Sequence, residues 1–86
     1  MNIDGAIIKE QGITFAIVIV KPHIINNSND SNEARIAFQQ YFPGIPIILM
    51  AQDHNGRPTY QGRKDIVAFL ANVDPSRIPW KKYTFN

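Results

Sequence analysis

The chain predicts one small α/β domain, a mixed sheet of about four strands with two helices in the order ββαββα. Three observations carry this. Ile13 to Val20 and Ile47 to Ala51 are apolar on both alternating sets of positions, the pattern of strands covered on both faces. Ala34, Ala37, Phe38 and Tyr41 recur at helical spacing, as do Ile66, Phe69, Leu70 and Val73. With 86 residues, the chain has room for a single core spanning residues 1–86.

Taken in order, Ala6 to Glu10 reads as a short strand, and Gln11-Gly12 as a turn into the two-sided strand that starts at Ile13. Lys21-Pro22 ends that strand, because proline has no amide to give to a ladder. Asn26 to Asn32 has almost nothing to bury and reads as a solvated loop. Asp30 then caps a helix, with Glu33 reaching back in a capping box, and Pro43-Gly44 terminates it. Pro46 to Gln52 is the second interior strand. Asn55-Gly56 supplies the positive φ of a tight hairpin, and Arg57 to Gln61 returns as an edge strand that tolerates Pro58. Gly62 opens the last helix, Asp65 suits its first turn, and Asp74-Pro75 stops it. Residues 75–86 are left as a tail. Its Ile78, Trp80, Tyr83 and Phe85 are expected to fold back on the core, with Lys81 and Lys82 in water. If both interior strands are covered on both faces, the helices must lie on opposite sides, or the tail or a partner subunit must cover one.

From Gly44 to Val73 the chain resembles the C-terminal half of a thioredoxin-like domain. The shared features are Gly44-Ile45-Pro46 opening a strand, the Asn55-Gly56 turn to an edge strand, and Gly62 before the final helix. The resemblance implies a thioredoxin-like fold, with Pro46 as its cis proline. The redox Cys-x-x-Cys of that family would fall at Lys21 to Ile25 or in the asparagine-rich stretch, and the chain has no cysteine there or elsewhere. Without a thiolate there is no disulfide exchange, so only the scaffold carries over.

The lack of cysteine also removes disulfide frameworks, thiolate metal sites and cysteine nucleophiles. The longest apolar run, Phe15 to Val20, is far short of the roughly 20 residues a membrane helix needs. The opening residues carry no secretory pattern, so a cytoplasmic protein without a membrane role is the expectation. Charge is uneven. Lys9, Lys21 and Arg35 face five carboxylates up to Asp53, whereas Arg57, Arg63, Lys64, Arg77, Lys81 and Lys82 face only Asp65 and Asp74 beyond it. Such a basic half is usually a solvated face, but it can also mark an anionic partner.

No catalytic, cofactor or metal constellation stands out. His23 and His54 fall at strand ends without metal-ligand spacing, the serines lack an activating motif, and the five glycines are scattered. The reading is a non-enzymatic module that binds a protein or pairs with itself, through Arg57 to Gln61 or through the aromatic tail. Two alternatives stand behind it. One is weak nucleic-acid binding through Arg57, Arg63, Lys64, Lys81 and Lys82. The other is an enzyme using His23 or His54 in a pocket near Pro46.

Overall fold

A computed structural model describes residues 1–10 and 12–85; Gln11, half of the expected first turn, and Asn86 lie outside them. The strands are β1 (Asn2–Glu10), β2 (Ile13–Ile19), β3 (Ile47–Gln52), β4 (Pro58–Gln61) and β5 (Lys81–Thr84). The helices are α1 (Pro22–Asn26), α2 (Ser28–Gln39) and α3 (Lys64–Leu70), with a 3-10 turn over Pro75–Arg77. One mixed sheet orders the strands β4-β3-β2-β1-β5, with β2 and β3 parallel and every other neighbouring pair antiparallel.

The two-sided apolar runs lie side by side at the middle, Ala16 opposite Ile47 and Val18 opposite Leu49. Phe15, Ile17 and Met50 point into one cluster with Ile66, Leu70 and Ile78, so α3 and the 3-10 turn cover that face. Ala16, Val18 and Leu49 point into the other with Phe42, packed against Ile24 of α1 and Phe38 of α2. Each large side chain buried this way contributes about 1.5–3 kcal/mol, so the central strands outweigh any other part of the chain as an organising force. The helices therefore lie on opposite faces, as two-sided strands require.

Two expectations are corrected. Asn26 to Asn32 is not a loop: α1 starts on Pro22, whose fixed φ suits a first helical position, and α2 follows after Asn27 alone. Asn27 is the cap in place of Asp30, its Oδ1 accepting from the amides of Asn29 at 2.9 Å and Asp30 at 3.1 Å. Asn26, Asn27, Ser28, Asn29 and Asn32 are exposed around this junction and Asp30 is half-buried, whereas Ser31 is fully buried.

The tail is likewise more than a packed segment. Lys81 to Thr84 pair with Gly5 to Asn2 and make β5 the fifth strand, while β1 begins four residues earlier than Ala6. Ile78 is buried, and Trp80, Tyr83 and Phe85 are half-buried against the two clusters, as the core reading of the tail had it. Trp80 Nε1 donates to Pro75 O at 2.9 Å, and Phe42 meets Tyr83 and Phe85 edge-on at 5.7 Å. No helix among the described residues is long and apolar enough to cross a membrane.

Candidate functional site

Because the sheet is open, β4 and β5 are its two edges, and backbone alternation says what each presents. The Asp53 amide donates to Arg57 O at 3.0 Å, which places hydrogen-bonded pairs at Asp53–Arg57, Ala51–Thr59 and Leu49–Gln61. Pro58 and Tyr60 thus turn their backbone outward, and Pro58 has no amide. The free side of β4 offers a single donor, the blunting that proline gives to edges.

On the opposite edge the Phe85 amide donates to Met1 O at 2.8 Å, so Ile3–Tyr83 and Gly5–Lys81 are the hydrogen-bonded pairs that follow. Lys82 and Thr84 turn outward with both of their backbone groups. This edge is anchored below by Tyr83, whose hydroxyl accepts from the Ile7 amide at 3.2 Å, and by Lys81 Nζ lying 4.7 Å from the Tyr83 ring centroid. Lys82 stands opposite Asp4, and Thr84 Oγ1 donates to Asn2 Oδ1 at 3.0 Å.

The five cations named as a nucleic-acid surface do not converge. Arg57 and Arg63 flank β4 at its two ends, about 20 Å apart at the usual strand rise. Lys64 opens α3, while Lys81 and Lys82 lie on β5, four strand spacings and about 19 Å away from β4. Arg63 Nε pairs with Asp65 Oδ1 at 2.9 Å, and both side chains are about half exposed (51% and 52%), so the pair adds little to stability.

The histidine pocket is not formed. His23 is exposed in α1, which follows β2, and His54 is exposed in the turn that follows β3, whereas Pro46 stands at the entry to β3, the other end of the sheet. The cleft that Pro46 lines contains Arg35, Gln39, Ile47, Gln61, Gly62 and Arg63, and neither histidine. Nor is Pro46 a cis proline: no cis peptide bond occurs among the described residues. Its carbonyl accepts the Ala16 amide at 2.9 Å, so Pro46 continues the β2–β3 ladder on the trans bond that X-Pro prefers by about 0.5–1 kcal/mol. Among the described residues no three of His, Cys, Asp and Glu cluster as a metal site.

Two titrating groups depart from ordinary values, and both have structural causes. The Ser76 amide and hydroxyl, at 3.0 and 2.9 Å, hold the exposed Asp74 carboxyl below the usual carboxylate value, as befits the cap of the 3-10 turn. Burial pushes the Tyr60 hydroxyl up.

Sequence reasoning missed Arg35 and the Lys82–Thr84 edge. Arg35 gave no signal, being one cation on an amphipathic helix. The edge had one, the β-prone run from Lys81 to Phe85 after Pro79. Comparison with protein-family models, with curated proteins and with solved structures finds no match to this chain.

Proposed function

We propose that this protein is a non-catalytic interaction module that takes up an extended, acidic stretch of polypeptide as a sixth strand along β5. The observation that carries the reading is the outward pair Lys82 and Thr84, two amides and two carbonyls on an edge without the proline that blunts β4. Lys81 and Lys82 make an acidic segment the better occupant and disfavour a second copy of the same strand, whose lysines would be brought beside these. The aromatic residues of the tail serve the core, which supports backbone pairing over base stacking, and the dispersal of the basic side chains weighs against nucleic acid. The strand, turn, edge strand, glycine and helix from Gly44 to Val73 support kinship with the thioredoxin-like scaffold, in a form that carries no redox chemistry.

Four ladder bonds at about 1 kcal/mol each permit a dissociation constant no tighter than about 1 mM, so a short peptide binds weakly and further affinity and specificity must come from its side chains. The test is amide mapping by NMR with an acetylated hexapeptide alternating glutamate and valine, and with its lysine counterpart. The glutamate peptide is expected to shift and protect the Lys82 and Thr84 amides, less so as salt rises, while the lysine peptide does not. Shifts on β4 instead, or none at several millimolar peptide, overturn the reading.

A further inference from the structure

α2 carries Arg35 across the sheet face at the start of β3, where its guanidinium meets only uncharged acceptors. Nε donates to Ile47 O at 3.4 Å, and Nη2 to Gln61 O at 3.2 Å and also to Gln61 Oε1. Among the described residues Nη1 has no hydrogen-bond partner, and no carboxylate lies within 4 Å of the guanidinium. A half-buried cation whose bonds all go to neutral oxygens keeps its full charge to offer.

What it faces is an open cleft of about 490 Å³, also lined by Arg63. Arg63 is bonded to Asp65 through Nε, leaving the rest of its fork for a ligand. Two guanidiniums and one carboxylate leave a net single positive charge, which matches a monoanion. Gln39 is not a competing donor, because Nε2 gives to Phe42 O and Ile45 O, both at 2.8 Å.

A second open trough, of about 590 Å³, shares Arg35 and Gln39 with this cleft and continues to Ile36, Pro43 and Gly44. Ile36 is 74% exposed, the barest large hydrophobic side chain among the described residues. A cationic cleft and an apolar trough thus meet along one helix.

The geometry points to a binding site for the C-terminal carboxylate of a polypeptide that ends in an aliphatic residue. The carboxylate lies between Arg35 Nη1 and the Arg63 fork, one oxygen to each, and the last side chain rests on Ile36 and Pro43. The two oxygens of the planar group can be divided between the free Nη1 of Arg35 and the free Nη nitrogens of Arg63, and its single charge leaves nothing uncompensated. The site involves α2 and the β4 edge, across the sheet from β5, so it stands or falls apart from strand addition.

The experiment is an NMR titration with an acetylated tripeptide of two alanines and a terminal leucine, as free acid and as C-terminal amide, at constant ionic strength. The free acid is expected to shift the Arg35 Nε–H and Gly62 amide signals saturably, with the amide weaker by about tenfold or more. Arg63→Gln leaves the Arg35 bonds to the sheet in place and should weaken the acid about fivefold. Ile36→Ser, an exposed change, should weaken the leucine peptide about threefold while leaving a glycine-ended one unaltered. Equal affinity for acid and amide overturns the proposal, as do shifts that stay linear to about 20 mM or a folded Arg63→Gln protein that binds undiminished.

Discussion

Ser31 Oγ donates to the carbonyl oxygen of Ile24 at 2.6 Å, from a side chain with no solvent exposure. The same oxygen lies 3.0 Å from Asn27 O, so one hydroxyl sits over the junction where α1 ends and α2 begins. A five-residue helix cannot hold itself together in water. Ser31 is therefore part of what holds α1 on the sheet. Ser31→Ala should lower stability by about 1–2 kcal/mol, because it leaves a partly buried carbonyl without its donor. Denaturant unfolding reads this directly, and a loss below about 0.3 kcal/mol would mean that water replaces the bond.

Gly5 is buried in β1, opposite Val18 of β2 and Lys81 of β5. A Cβ there would fall on the carbonyl oxygen of Ile17, with Ile17 C at 3.2 Å and Val18 Cα at 3.4 Å. These are backbone atoms of the central strand and cannot turn aside. Gly5→Ala is expected to cost about 1–3 kcal/mol, as overpacking does, and to speed amide exchange at Lys81 to Thr84 as β1 shifts. An unchanged unfolding midpoint with unchanged exchange contradicts the close approach.

Tyr60 lies on the inner side of β4 against the α3 cluster, and its buried hydroxyl has no hydrogen-bond partner. Burial raises its pKa above 10.0, since a phenolate there would lose its water. The folded state thus holds this proton more tightly than the unfolded chain. Its contribution is complete below the unfolded value near 10 and is lost as pH climbs through the folded one. Tyr60→Phe removes an unpaired polar group and should match or exceed the parent in stability at pH 7, then lose less of it above pH ~10. Paired melts from neutral to alkaline pH test both halves, and a deficit above about 1 kcal/mol at neutrality would reveal a partner for the hydroxyl.

How much was legible can be judged element by element. Ile13 to Val20 and Ile47 to Ala51 announced a doubly covered sheet centre, because only strands sheltered on both faces can carry apolar residues on both alternating sets of positions. Pro58 placed β4 at an edge through its missing amide, and Ile66 with Leu70 marked the buried side of α3. The asparagine-rich stretch was misread for a local reason: polar residues on the first exposed turns of a helix look like a loop until Ser31 is seen to be buried. Arg35 and Arg63 are 28 positions apart by number and meet only at the shared cleft.

The residues by themselves determined what must hide from water, since burial is a property of side chains and their period is written in the chain. They did not determine which edges meet. Ladder bonds are made by backbone groups that every residue but proline carries alike, so nothing in Lys81 to Thr84 names β1 as their neighbour. That choice was left to the packing of Tyr83 and Phe85 on Phe42, and with it came the open edge and the two-arginine cleft on which the proposals rest.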